Sequence, residues 1–263
     1  MDQIADDLAQ HDLALCLDYD GTLTPIVDRP EQATLSADMR SLLTQLADCC
    51  TLAIVSGRDR QDVQDMVRLD NLIYAGSHGF DITGPDGLHL QHEEATRSLP
   101  DLDRAGRQLH ERLSHIEGVF IERKRFAMAV HVRLVADKDL GSVEEAVKQI
   151  RQRFPSLRLM RGKKVLELQP DVVWDKGQAI LWLREALGLD RSQVVTFYIG
   201  DDVTDEDAFR AVSEGGFGLG IRVDSPIAES HAHYALRDCD EVREFLIVLF
   251  NLLKSRTKGA TKS

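Results

Sequence analysis

The segment Leu13-Ala14-Leu15-Cys16-Leu17-Asp18-Tyr19-Asp20-Gly21-Thr22-Leu23-Thr24 decides the fold. Its opening run, Leu13–Leu17, has the length and composition of a buried strand. Two carboxylates follow directly, and the chain then breaks at the turn pair Asp20-Gly21. A buried strand ending in acids and a glycine turn sets those acids at the carboxyl edge of a sheet, where open α/β folds bind ligands. Asp18 and Asp20 lie one residue apart where the side-chain alternation breaks. They can share a divalent cation or divide nucleophile and acid/base roles. A calcium loop is excluded, because it needs glycine in sixth place and glutamate in twelfth. Counted from Asp18, those places hold Leu23 and Arg29. A plain solvated turn accounts for Asp-Gly in most settings, but not for the apolar strand before it or the partners described below.

Outward from this segment, apolar runs recur, each followed by a loop and a helical pattern. A helix over Ser36–Ala47, with Leu42, Leu43 and Leu46 on one face, leads to a strand at Thr51–Val55 and then Ser56-Gly57-Arg58. A helix over Arg60–Arg68 precedes a strand at Leu72–Ala75. Later, Val194–Ile199 ends in Gly200-Asp201-Asp202, and Phe217–Ile221 follows a further helix. Strands alternating with helices predict a parallel, doubly wound sheet with helices on both faces. The polar motifs all follow the carboxyl ends of these strands. The middle of the chain reads differently. Glu93–Ile116 is helical, begun or interrupted at Pro100. Val119–Glu122, Phe126–Arg133, Leu157–Met160 and Lys164–Leu168 read as short strands, with a helix over Ser142–Arg153 between the two pairs. That pattern predicts an inserted α+β unit at residues 95–170, dividing a core of 1–94 and 171–263. A basic tail from Lys254 is expected to lack structure, and Phe245, Leu246, Leu249, Leu252 and Leu253 form the buried stripe of a docking helix.

The chain has 263 residues, enough for a large core with an insert. Lys+Arg is 32 against Asp+Glu 44, a formal net charge of -12, which argues against tracking nucleic-acid phosphates or anionic membranes. Cys16, Cys49, Cys50 and Cys239 show no paired-ligand spacing, so reduced thiols are expected rather than a disulfide scaffold. The acidic N-terminus lacks an export-signal layout, and the longest apolar run, Phe245–Phe250, is too short to span a bilayer. A cytoplasmic protein is expected.

Four pieces then fit one chemistry. Asp18 and Asp20 follow the first strand. Ser56 offers a hydroxyl and neighbouring N–H groups at a helix start, suited to an anion. Lys176, in Trp174-Asp175-Lys176-Gly177, opens a helix over Gln178–Leu187 and supplies a point charge. Asp201 and Asp202, in Gly200-Asp201-Asp202-Val203-Thr204-Asp205-Glu206-Asp207, bring carboxylates to another strand end. Hard oxygen ligands with room for water and phosphate describe a magnesium site. A carboxylate approaching a dianionic phosphate needs that cation. Part of the 201–207 acid run also serves as a helix cap. Elsewhere, Gly216-Phe217-Gly218-Leu219-Gly220 has the wrong spacing for a dinucleotide fingerprint. The histidines offer no helical zinc pair, and no serine sits in a nucleophile elbow.

Asp-x-Asp-Gly-Thr, Ser-Gly-Arg, Asp-Lys-Gly and Gly-Asp-Asp-x-Thr-Asp-Glu-Asp, in this order, resemble the haloacid-dehalogenase superfamily of phosphatases. Leu17–Pro25, Gly76-Ser77-His78-Gly79, Glu122-x-Lys124, His131-x-Arg133 and Gly162–Pro170 narrow the resemblance to the trehalose-6-phosphate phosphatases. The one departure is Val132, where that family often has tyrosine. The resemblance implies a Rossmann-like core with the 95–170 insert as a cap that closes over the site and reads the sugar. It implies that Asp18 attacks phosphorus and that Asp20 protonates the leaving sugar oxygen, then deprotonates water. Ser56 and Lys176 would hold the phosphoryl oxygens, and Lys176 would offset charge on Asp18. Mg²⁺ would be held by Asp18, the Asp20 carbonyl and Asp201, with Asp202 supporting through water. Asp205 would position Lys176 or this surrounding shell. The implied substrate-binding set is Asp20, Gly21, Thr22, Ser56, Gly57 and Arg58, with His78, Glu122, Lys124 and Glu167 toward the sugar.

Glu122 and Lys124, two apart on a strand, share a face. Glu167 stands between apolar Leu166 and Leu168, as a side chain aimed into a cleft does. His78 either faces the substrate or closes a turn. Arg123, Arg125, His131 and Arg133 read as a solvated sheet face. The implied substrate is trehalose 6-phosphate, with functional coupling to a trehalose-phosphate synthase. Competing readings are a phosphatase of sucrose 6-phosphate or mannosyl-phosphoglycerate, a hexose phosphomutase, or a non-catalytic sugar-phosphate-binding domain. The last predicts a broken constellation, and Asp18, Asp20, Ser56, Lys176 and Asp201 are all present.

Overall fold

The computed structural model describes residues 2–27, 29–162, 164–189, 193–224 and 230–260. Met1, Lys163 of the Gly162–Pro170 segment and the tail residues Thr261, Lys262 and Ser263 lie outside them. Two compact units are present: Met1–Leu90 with Trp174–Ser263, and Gln91–Val173.

The first unit is a mixed α/β layer structure. Its elements are α1 (Asp2–Gln10), β1 (Asp12–Leu17), α2 (Ala37–Ala47), β2 (Thr51–Val55), α3 (Arg60–Val67), β3 (Ile73–Gly76), β4 (Asp81–Thr83) and β5 (His89–Gln91). After the second unit, which carries α4 to α6 and β6 to β9, come α7 (Lys176–Ala186), β10 (Val194–Gly200), α8 (Glu206–Glu214), β11 (Gly218–Val223), β12 (Tyr234–Leu236) and α9 (Cys239–Ala260). The sheet runs β12-β11-β10-β1-β2-β3-β4-β5. Pairs from β12 through β3 are parallel, and β4 turns back antiparallel on β3. Both faces are covered, as near-continuous apolar strands require. Leu15, Leu17, Ile54 and Ile199 point to the face carrying α1, α2, α3 and α9. Cys16, Ala53, Val55 and Tyr198 point to the face carrying α7 and α8. Strand order reverses between β1 and β10, the switch point outside which an open α/β sheet forms its crevice.

The second unit is α+β. It holds α4 (Glu93–Arg97), α5 (Leu99–Leu113), β6 (Phe120–Lys124), β7 (Ala127–His131), α6 (Asp137–Arg153), β8 (Leu157–Gly162) and β9 (Val165–Pro170). Its antiparallel sheet runs β6-β7-β9-β8. Leu102, Leu109, Met128, Val130, Val147, Ile150, Leu166 and Leu168 form its core between the helices and one sheet face.

The expected helix over Glu93–Ile116 is two helices, because Pro100 cannot donate to a preceding turn and sits in the first turn of α5. The helix expected from Ser142 starts earlier, at Asp137, with Asp137 and Asp139 complementing its N-terminal dipole. The sequence pattern gave no sign of α1, β4, β5 or β12. The tail expected to be unstructured from Lys254 instead continues α9 through Ala260. Arg256 explains this: it donates to the Leu8 carbonyl at 2.7 Å and pairs with Asp12 at 2.6 Å, tying the helix end to α1 and β1.

Candidate active site

The site is built where β1 and β10 end side by side. The Asp18 amide donates to the Ile199 carbonyl at 2.9 Å, continuing the parallel ladder one residue past β1. Alternation buries Tyr19 on the opposite side, where its hydroxyl donates to the Ala33 carbonyl at 2.7 Å. The chain then closes a tight loop, with Gly21 N–H donating to the Thr24 carbonyl at 2.7 Å. Gly21 has φ +79, and a Cβ there would overlap the Asp201 carboxylate. Glycine is therefore required twice over, by conformation and by the approach of an acid. The Thr22 hydroxyl is buried in this loop and has no hydrogen-bond partner among the described residues.

Lys176 is the first residue of α7, a helix capped by the Asp175 side chain accepting from Gln178 N–H at 2.9 Å. Its ammonium is buried and donates to Asp18 Oδ1 and to Asp205 Oδ1, each at 2.7 Å. Asp205 is wholly buried and also accepts from the Tyr198 hydroxyl at 2.5 Å and from Asp202 N–H at 2.9 Å. Asp201 completes the group: ligand atoms of Asp18, Asp201 and Asp205 all lie within 4.8 Å of one another. Asp202 stands apart from these three. Its side chain is exposed and accepts from Val203 N–H at 2.7 Å, forming a capping box with Asp205 around the turn Val203–Asp205. The 201–207 run thus divides its labour between cap and site.

Charge dominates the electrostatics. Burial pushes the Asp18 carboxyl well above the usual range, opposed by Lys176 and reinforced by Asp205 and Asp201. Burial, with the neighbouring Asp205 and Asp202 charges, raises Asp201 to about 7. Burial works against the Lys176 ammonium, but Asp18 and Asp205 more than offset it and hold the group firmly protonated. Burial and Asp205 raise the Tyr198 phenol. Three acids converging on one ammonium leave an excess of negative charge, and all their donors are oxygen. That combination suits a hard divalent cation.

Beside this centre, Ser56 is buried after β2, and its Oγ accepts from Arg58 N–H at 3.2 Å. Arg58 grips Asp20 with two bonds of 2.6 Å, donates to the Pro30 carbonyl at 2.8 Å and lies over the Tyr19 ring. In the chain as it stands, both Asp20 oxygens are therefore engaged. His78 has φ 58 within the turn Ser77–Gly79, its N–H donates to the Ser56 carbonyl, and its ring closes against Gly57. A left-handed non-glycine at a site rim is a conformation the surroundings must enforce. Here Ser77 supplies the enforcement, through its N–H to Arg58 O at 2.6 Å and its hydroxyl to Asp59 at 2.8 Å.

In the second unit, Glu122 is across from Ala129 on β7, which is across from Glu167 on β9. Lys124 pairs with Glu167 at 3.5 Å. Arg123, in contrast, turns away to Asp103 at 2.7 Å. Two features escaped the sequence reading. The Arg58–Asp20 clamp joins loops after different strands, and no spacing rule signals it. Tyr198 had a signal: Thr196 and Tyr198 are polar atoms on one side of an otherwise apolar strand, and each buried hydroxyl needs a partner.

The family model described as trehalose-phosphatase matches residues 16–242. A rice protein named probable trehalose-phosphate phosphatase 2 (Oryza sativa subsp. japonica) is 42% identical over 255 residues, covering 89% of this chain and 67% of that protein. A Mycobacterium ulcerans trehalose-phosphate phosphatase is 45% identical over 210 residues, covering 80% of this chain and 54% of its own length. Among solved structures, one described as a trehalose-6-phosphate phosphatase related protein superposes with TM-score 0.78 at 28% identity, over 96% of this chain and 100% of that one. An Aspergillus fumigatus trehalose-6-phosphate phosphatase superposes with TM-score 0.66 at 26% identity, over 95% and 98%.

Proposed function

Since the chain belongs to the trehalose-phosphatase family, we propose that it hydrolyses trehalose 6-phosphate to trehalose and inorganic phosphate through an aspartyl-phosphate on Asp18. The observation that carries this reading is the buried bridge Asp18–Lys176–Asp205, both bonds 2.7 Å, with Asp201 converging on it at the switch point of the sheet. Asp18 attacks phosphorus with a carboxylate oxygen as the bond from phosphorus to the sugar oxygen breaks. Asp20 gives that oxygen its proton, then takes one from the water that attacks the phosphoryl group and frees Asp18. Both oxygens of Asp20 are held by Arg58 at rest, so the clamp must open and the freed carboxylate take up a proton from solvent before Asp20 can protonate the leaving oxygen. The incoming phosphoryl group is the anion that competes for the guanidinium. Ser56 and Lys176 hold the phosphoryl oxygens. Gly21, Thr22 and Gly57 let the backbone loops close around them, and His78 packs at the rim.

Magnesium is the cation we assign to the Asp18–Asp201 pair, with the Asp20 carbonyl and Asp202 through water. When bound, it screens the repulsion between carboxylate and phosphate and polarises the phosphoryl oxygen. Asp205 serves by fixing Lys176. The second unit, Gln91–Val173, is on this reading the cap expected over residues 95–170, and it recognises the sugar through Glu122, Lys124 and Glu167. A cytoplasmic enzyme consuming the product of a trehalose-phosphate synthase is the setting this reading supplies; no described helix is long and apolar enough to cross a membrane.

Phosphate release from trehalose 6-phosphate, with and without a chelator, tests the reading. Release should stop with chelator and return with Mg²⁺. Asp18→Asn should fold and release nothing, because phosphoryl transfer here depends on that one nucleophile. Retained turnover by Asp18→Asn would overturn the assignment.

A further inference from the structure

The face of the second unit's sheet that carries Glu122 also holds His131 and Phe120, to which none of these roles has been given. Strand alternation puts Phe120, Glu122 and Lys124 on one side of β6, and Ala127, Ala129 and His131 on the same side of β7. Register places Phe120 directly across from His131 and Glu122 across from Ala129. His131 does not stand in solvent as the sequence suggested. Its Nε2 lies 2.8 Å from Glu122 Oε2, and its ring sits 5.4 Å from that of Phe120, tilted by 32°. A carboxylate oxygen only accepts, so Nε2 carries the proton and donates. Phe120 is 62% exposed, a large apolar ring left in water beside paired charges.

We propose that His131 is a positioning residue for substrate specificity. It holds the Glu122 carboxylate against the Phe120 ring, so that acid and aromatic together take one ring of a disaccharide phosphate. The chemistry is complementary. A pyranose ring has an apolar C–H face that covers an exposed aromatic ring, and hydroxyls at its rim that donate to a carboxylate. A carboxylate on a free side chain would have to be ordered at the moment of binding; one already bonded to His131 is not. Ala129, between Glu122 and Glu167 in the register, keeps the floor low between the two acids. The side chains that neighbour this corner are otherwise engaged: Lys124 with Glu167, and Arg123 with Asp103.

The inference rests on the trehalose 6-phosphate reading, and the experiment separates the two. Steady-state kinetics of the full chain are measured on trehalose 6-phosphate and on 4-nitrophenyl phosphate, which has no sugar. His131→Phe keeps the stacking partner and removes the donor. It should raise KM for the sugar ester about ten-fold more than KM for the aryl ester, with kcat little changed. His131→Gln, whose amide still donates to Glu122, should recover most of that loss. In Glu122→Gln, adding His131→Phe should cost little more than Glu122→Gln alone. Equal losses on both esters, or an unchanged KM for trehalose 6-phosphate in His131→Phe, would overturn the proposal. A wild-type protein that cleaves only the aryl ester would instead overturn the functional reading on which it stands.

Discussion

Replacing Lys176 by methionine tests the electrostatic core of the site. The ammonium makes two bonds of 2.7 Å, to Asp18 and Asp205, and all three side chains are almost fully withdrawn from water. Methionine keeps the length of the stem and removes the charge. Removing one partner of a buried ionic group costs about 3–5 kcal/mol, because the carboxylates left behind stay buried without their counter-charge. Two hydrogen bonds to charged groups at about 1.5–3 kcal/mol each give a similar figure. For a unit of this size, that lowers the melting midpoint by roughly 6–20 °C. Tryptophan fluorescence is the assay, since Trp174 and Trp182 both lie in the first unit and report its unfolding alone. The loss should also depend on pH. Burial already holds the Asp18 carboxyl above its unfolded value, and Lys176 is what opposes this. A raised acid binds its proton more tightly in the folded chain, so stability falls as pH rises through the window between the two values. Without Lys176 the upper end of that window rises, and the destabilisation should be larger at about pH 8 than at about pH 5. A variant within about 1 kcal/mol of wild type at both pH values would show that the ammonium does not sustain these carboxylates.

Two further outcomes follow from the same charges and from the second unit. Burial raises Asp201 to about 7 in the metal-free chain. Stability of that chain should fall as pH climbs from about 4 toward 7, and a cation must displace the proton to bind. The melting shift produced by a fixed Mg²⁺ concentration should therefore grow between about pH 5.5 and about pH 8, and a shift independent of pH would remove Asp201 from the ligand set. Separately, Glu122→Ala and Lys124→Ala should each raise KM for trehalose 6-phosphate far more than for an aryl phosphate, because an unpaired polar partner penalises only a ligand that bonds to it. Equal effects on the two esters would count against a sugar-reading sheet.

Much of this was legible in the sequence because its cues are local. The apolar run before Asp18, the glycine after Asp20 and the acids after Ile199 each mark a strand end, and strand ends on one sheet edge must converge. Asp205 was legible for its partnership with Lys176, though not for its place among the acids that crowd one cation-sized space. What the sequence withheld depends on tertiary context. β4 and β5 are short edge strands whose pattern is too brief to show a period. The helical end of α9 is held by Arg256 reaching the start of the chain, a partner 244 residues away. His131 read as one of several exposed basic residues. Only the cross-strand register with Phe120, and the diagonal reach to Glu122, separates it from Arg123.

The two basic groups of the first unit's site divide its charge between them in a way that orders the events of binding. Arg58 neutralises Asp20, and Lys176 must serve Asp18 and Asp205 together while Asp201 stands close by. A phosphate dianion approaching this centre alone meets the carboxylates of Asp18, Asp201 and Asp205 against a single ammonium, and the Arg58 guanidinium is already paired with Asp20. A divalent ion changes both terms. Held by Asp18 and Asp201, it would offset the charge these carboxylates present to an incoming phosphoryl group. Once there, that group offers Arg58 an anion in exchange for Asp20. If Asp20 and the cation play the proposed roles, this charge arrangement favours cation before substrate and substrate before a free acid/base, and it would keep Asp20 held until a phosphoryl group is there for it to act on.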